Sequence, residues 1–217
     1  MFNNRTDAGR KLGNALKAYH IKDPLILGIP RGGVEVGYRV AQELSAPFSI
    51  LIVKKLPFPD NPEAGFGAIA ENGSVYFFPG YEERLPSTVI ENTIARQKAE
   101  VERRVEVLRN GAPLPDLQHR YVILVDDGIA MGSTTQAAVQ CCREMGAKHI
   151  LVAAPVSSPD ARRKLNTAAD EVVTLLTPPF FRAVAEYYQH WYDVPDEEVL
   201  QIMNRVQSTS PHGSPAP

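Results

Sequence analysis

Residues 121–134 read Tyr-Val-Ile-Leu-Val-Asp-Asp-Gly-Ile-Ala-Met-Gly-Ser-Thr, an aliphatic run ending in two adjacent carboxylates and then a loop of small and hydroxyl residues. If the loop opens a helix, it presents unpaired backbone N–H groups and the positive end of the helix dipole. Small residues let a phosphate come close to that backbone. Ala130, Met131, Gly132, Ser133 and Thr134 would form such a cradle, with hydroxyl donors on the last two. Asp126 and Asp127 would repel the phosphate itself. They make sense facing another part of the same ligand, such as sugar hydroxyls, and a ribose 5-phosphate meets both demands.

The second chemical motif is Gly28-Ile29-Pro30-Arg31-Gly32-Gly33, again where an apolar run gives way to a helical pattern. Its glycines permit backbone conformations closed to other residues. Arg31 offers a fork that matches pyrophosphate oxygens. Lys54 and Lys55 close the next apolar run and would lie beside the same anion. Ligands of open parallel sheets gather at the carboxyl ends of the strands, which brings the two motifs together.

These motifs need a scaffold that sets strand ends side by side. Apolar runs at residues 25–29, 48–53, 121–125, 149–156 and 171–176 alternate with helical stripes at 34–44 and 134–145. Alternation of this kind predicts a mostly parallel five-stranded sheet with helices on both faces, an α/β fold. Ser158-Pro159 reads as a helix cap followed by a first-turn proline. Residues 67–70 and 74–78 flank Glu71-Asn72-Gly73, a hairpin signal. The proline-rich residues 56–66 before it read as a mobile loop. A long helix is expected near 89–110, with Thr88 and Glu91 at capping-box spacing and a stripe of Ile90, Ile94, Val101, Val105 and Leu108. Its Arg and Lys residues read as a solvated face. Residues 1–206 form one domain in this reading, with the long helix at 86–110, a C-terminal hood at 177–206 and a disordered tail at 207–217.

Bulk properties narrow the function classes. The 217 residues are 44% hydrophobic and 22% charged with a formal net charge of −2, an ordinary globular balance without the broad basic footprint of a nucleic-acid binder. Cys141 and Cys142 are adjacent in sequence and read as packing residues of a reducing compartment. No apolar run approaches the ~20 residues that span a bilayer, and the N-terminus lacks a signal-peptide core, so a cytoplasmic location is expected. No G-x-G-x-x-G opens the first helix, which speaks against a dinucleotide oxidoreductase.

The acid pair with its loop closely resembles the signature of type I phosphoribosyltransferases, and residues 30–33 resemble the family's pyrophosphate loop. The whole chain before the tail looks like a bacterial group of phosphoribosyltransferases with unassigned substrates. The resemblance implies transfer of ribose 5-phosphate from 5-phosphoribosyl 1-pyrophosphate to a nucleobase-like acceptor, with release of pyrophosphate. Asp126 and Asp127 would hold the ribose hydroxyls and support an oxocarbenium-like transition state. Residues 130–134 would hold the 5-phosphate, and Arg31, Gly32, Gly33, Lys54 and Lys55 the pyrophosphate. Mg2+ would bridge ligand oxygens, with Asp126 or Asp127 as its protein contacts. The family often carries a non-proline cis peptide in the pyrophosphate loop, here between Pro30 and Arg31. Glu63, in the segment corresponding to the flexible loop, is a candidate general base. Phe181 and Val184 are candidates for the base-binding hood, while His190 and Trp191 read as surface or packing residues. A homodimer is common in this fold.

Two departures qualify the resemblance. Met131 stands where the family usually has Thr, removing a hydroxyl from the phosphate cradle. Ala130 occupies the position of the carboxylate that serves 6-oxopurine salvage enzymes, which predicts poor use of hypoxanthine and guanine. The alternative function is a regulatory protein that binds ribose phosphates or nucleotides without catalysis; Met131 and the unfamiliar loop at 56–66 favour it.

Overall fold

A computed structural model describes residues 1–81 and 83–209, the side chains of Glu63 and Thr209 excepted. In chain order the elements are α1 (Arg5–Leu16), β1 (Pro24–Gly28), α2 (Gly32–Leu44), β2 (Phe48–Ile50), β3 (Val53–Phe58), β4 (Asn61–Ala70), β5 (Val75–Phe77), α3 (Ser87–Arg109), β6 (Tyr121–Val125), α4 (Ser133–Glu144), β7 (His149–Val156), α5 (Pro159–Leu165), β8 (Glu171–Leu176) and α6 (Asp196–Thr209). Five strands form one sheet in the order β2-β1-β6-β7-β8, and every pairing in it is parallel. This is the expected α/β architecture.

The strand-period alternation sends side chains to opposite faces. Ile26, Ile123, Val125 and Leu151 pack with Leu12, Val36 and Val40 of α1 and α2. Leu25, Leu27, Val122, Leu124 and Val152 pack with Ala137, Ala138, Cys141 and Cys142 of α4. Both cysteines are free and buried, and burial pushes their thiols up, that of Cys141 to about 12. They pack and do not react, as their setting in the sequence suggested.

Chain order places β1 and β6 side by side at the centre, with Gly28 in register with Val125. The loops that follow them, residues 29–31 and 126–132, therefore leave the sheet as neighbours. Ser158 caps α5 by accepting from the Ala161 N–H at 3.0 Å, with Pro159 in the first turn.

Four expectations are corrected. The run 48–53 is not one strand. It breaks after Ile50, where Leu51 N donates to Gly28 O and Ile52 N to Glu71 Oε1, and restarts as β3. Lys54 and Lys55 accordingly sit within β3 rather than at the end of β2. Residues 56–66 are not a mobile loop but mostly an antiparallel hairpin of β3 and β4, continued by β5. Pro57 is accommodated because β3 is an edge strand, with register shifts on either side of it, while Pro59 lies in the turn and Pro62 near the start of β4, outside the stretch that pairs with β5. Phe58 packs edge-on against Phe66 and Tyr81 at ring-centre distances of 5.5 and 5.3 Å. Third, the capping box at Thr88 and Glu91 does not form; α3 begins two residues earlier, at Ser87 behind Pro86, with no side-chain cap. Residues 207–209 belong to α6 rather than to a tail, and 210–217 lie outside the described residues. Among the described residues no helix is long and apolar enough to cross a membrane.

Candidate functional site

Gly132 adopts φ +82°, a left-handed turn that glycine enters without penalty, and hands the chain to α4. Among the described residues the backbone N–H groups of residues 130–135 have no backbone partner; pairing resumes with Gln136 N, which donates to Gly132 O at 2.8 Å. These free donors edge a cavity of about 240 Å3 whose walls include Asp126, Gly128, Lys55, Gly65 and Phe78. Ser133 is buried there, and Thr135 adds a buried hydroxyl with no partner. Thr135 was not singled out from the sequence, although it lies one residue past the recognised hydroxyls. Met131 is 59% exposed and borders this cavity.

The acid pair is packed against the second motif. A Cβ on Gly32 would stand 1.7 Å from Asp127 Oδ2, and one on Gly33 would stand 3.2 Å from Asp126 Oδ1. The Asp127 carboxylate occupies the space a side chain at Gly32 would need, and the backbone of Val125 and Asp126 the space at Gly33. The Pro30–Arg31 peptide is cis, as the family resemblance implied. The N–H groups of Arg31, Gly32 and Gly33 have no partner among the described residues, and Pro30 and Arg31 border a second cavity. That cavity, about 320 Å3, is bordered by Arg31, Lys54, Lys55, Gln97 and Arg104. Lys55 borders both cavities. Burial lowers the Lys54 ammonium below its ordinary value, helped by the charge of Arg104.

Sequence reasoning also missed Arg5. Its side chain is 3% exposed, and Nε donates to Asp127 Oδ2 at 2.8 Å. Nη1 donates to Tyr192 O at 3.0 Å, and the guanidinium lies over the Trp191 ring at 4.0 Å. Trp191 is thus a packing residue with a definite partner. Only the fold brings Arg5 to Asp127, across 122 positions, so no local pattern announced it. Tyr188 completes the support by donating from its hydroxyl to Asp127 O at 2.5 Å. Burial raises the Asp126 carboxyl well above the ordinary carboxylate range, and the adjacent Asp127 adds to this. Burial also raises Asp127, against the pull of Arg5.

The hood candidates separate. Val184 lies directly over Gly128, where an added Cβ would meet its Cγ1 at 2.4 Å. Phe181 stacks on Tyr187 and borders a third cavity of about 460 Å3, together with Ala130, Met131, Asp160, Lys164 and Arg182. Asp160, a carboxylate on that cavity, was not singled out from the sequence. Glu63 falls in β4, and its side chain lies outside the described residues.

The donor set also bears on Mg2+. Among the described residues no group of three or more His, Cys, Asp or Glu side chains could cage a metal. Asp126 and the Asp127 oxygen not taken by Arg5 suit an ion that keeps water and ligand oxygens for most of its shell.

The comparisons agree with this geometry. The family model for the phosphoribosyl transferase domain matches residues 4–190. A Mycobacterium tuberculosis protein, named only provisionally as a phosphoribosyl transferase, is 38% identical over 208 residues, 95% of this chain and 47% of its own length. The adenine phosphoribosyltransferase of Agrobacterium fabrum is 30% identical over 159 residues, 70% of this chain and 81% of the enzyme. A solved protein of Thermus thermophilus superposes with a TM-score of 0.82 at 36% identity, covering 94% of this chain and 98% of that one. The chain belongs to the phosphoribosyl transferase family. It spans about half the length of the mycobacterial relative it matches.

Proposed function

We propose that the protein binds 5-phosphoribosyl 1-pyrophosphate across the β1 and β6 strand ends and transfers its ribose 5-phosphate to a nucleobase-like nitrogen. The observation that carries this reading is the adjacency of two unpaired N–H cradles, at residues 31–33 and 130–135, with the acid pair between them. A ligand with a phosphate at each end and hydroxyls in the middle matches that order.

The 5-phosphate sits on the N–H groups and hydroxyls of Ala130, Met131, Gly132, Ser133 and Thr134. Asp126 and Asp127 accept from the ribose 2- and 3-hydroxyls; Arg5 and Tyr188 hold Asp127 in its position. The pyrophosphate lies on Arg31, Gly32 and Gly33, with Lys54 and Lys55 at its flank. Mg2+, when bound through Asp126 or Asp127, neutralises charge on the ligand's oxygens. The C1–O bond to pyrophosphate breaks, and the acceptor nitrogen forms the new bond to C1. Fixed carboxylates beside the sugar stabilise the positive charge that develops there. The acceptor enters the cavity beside Phe181, with Val184 packing on Gly128 beneath, and gives its proton to a base such as Glu63 or Asp160.

Exposure of Met131 in the phosphate loop favours a second reading, a ribose-phosphate-binding regulator without turnover. Pyrophosphate release across a panel of bases separates the two. Turnover with any base supports transfer; saturable donor binding without turnover by any base supports the regulator.

A further inference from the structure

The long helix α3 lies between the hairpin and β6 in sequence, and its cations look like an exposed charged face. One of them is not. The Arg104 side chain is only 12% exposed and turns into the cavity that Arg31, Lys54 and Lys55 border. We propose that Arg104 is a pyrophosphate-binding residue supplied by α3, and that Asp196 at the start of α6 occupies its charge until the ligand arrives. This rests on the phosphoribosyl reading and extends its pyrophosphate site to two elements outside the family motifs.

The partners of Arg104 are those of a site awaiting an anion. Its Nε donates to Glu100 Oε1 at 3.0 Å. Its Nη1 stands 3.6 Å from Asp196 Oδ1, and Arg31 Nη1 stands 3.8 Å from the same oxygen. Neither approach is a hydrogen bond, and Asp196 Oδ1 is buried without a hydrogen-bond partner. Lys54 Nζ is likewise 4.0 Å from Glu100 Oε1. Beyond its Nε bond to Glu100, the Arg104 guanidinium meets only an ion pair too long for a hydrogen bond, which compensates poorly for lost hydration. Pyrophosphate oxygens can meet a guanidinium fork with short charge-assisted hydrogen bonds, which a single distant carboxylate oxygen does not provide. Arg31, Lys54 and Arg104 together outnumber Glu100 and Asp196, leaving positive charge for a multivalent anion.

The test is calorimetric titration of the full chain with inorganic pyrophosphate and Mg2+, and separately with ribose 5-phosphate. Arg104→Gln is expected to weaken pyrophosphate about tenfold or more, the usual loss for a charge-assisted hydrogen bond, with ribose 5-phosphate within about twofold of wild type. Arg104→Lys, which keeps the charge without the fork, falls between. Asp196→Asn is expected to tighten pyrophosphate binding, a sign that a disrupted structure would not give. Unchanged pyrophosphate affinity in Arg104→Gln, or weaker binding in Asp196→Asn, overturns the inference. Wild type that binds ribose 5-phosphate but not pyrophosphate also overturns it while sparing the sugar-phosphate site. Wild type that binds neither overturns the phosphoribosyl reading itself.

Discussion

At the scale of residues, the site is governed by what surrounds its two acids. Asp126 binds its proton more tightly in the fold than in the unfolded chain, where 3.8 is the ordinary value. Stability from that shift is full below the unfolded value and is lost as pH rises through the folded one. Asp126→Asn should therefore raise Tm relative to wild type, by an increment that grows as pH rises above about 4. Melting curves in EDTA across that range check it; an increment independent of pH contradicts it. Met131 tests the other cradle. Met131→Thr restores a hydroxyl donor worth about 1.5–3 kcal/mol against a charged acceptor. Ribose 5-phosphate should bind about tenfold or more tightly, read by calorimetry; no gain means that position 131 faces away from the phosphate in the complex.

At the scale of elements, the hairpin that carries Lys54, Lys55 and Glu63 is tied down at its base. Glu71 pairs with Arg109 at the end of α3, the two side chains being 9% and 4% exposed, and Arg109 also donates to Ile50 O at 3.0 Å. Glu71→Ala strands a buried guanidinium, which typically costs about 3 kcal/mol or more. Urea denaturation should show that loss, and a change below about 1 kcal/mol would mean the pair is solvated in solution. This tie also shows what the sequence concealed. The strands at 121–125, 149–156 and 171–176, the acid pair and the glycine loop were legible because each is written in contiguous residues. The hairpin at 56–66 was not, because three prolines mask it; Pro57 sits on the edge strand β3, Pro59 in the turn and Pro62 at the start of β4. Arg5, Arg104 and Glu71 were not legible either. Their roles depend on partners 122, 92 and 38 positions away, Asp127, Asp196 and Arg109.

At the scale of the whole molecule, three cavities lie near the ends of the central strands: one at the loop before α4, a cationic pocket and a cavity beside Phe181. The cavity beside Phe181 has Ala130 where 6-oxopurine enzymes of the family carry a carboxylate. Hypoxanthine and guanine are therefore expected to react with kcat/KM far below the usual range of about 10⁴–10⁸ M⁻¹s⁻¹, as a pyrophosphate-release assay would read. Activity within that range would show that the ring proton has another acceptor. The acceptor can remain unknown in the most direct test of the central claim, which concerns the donor. Calorimetric titration of the chain with 5-phosphoribosyl 1-pyrophosphate and Mg2+ should give one saturable site per chain, displaced by ribose 5-phosphate and weakened by Asp126→Asn. Absence of heat and of any ligand-induced rise in Tm at millimolar donor, in a chain that melts cooperatively, would contradict the account.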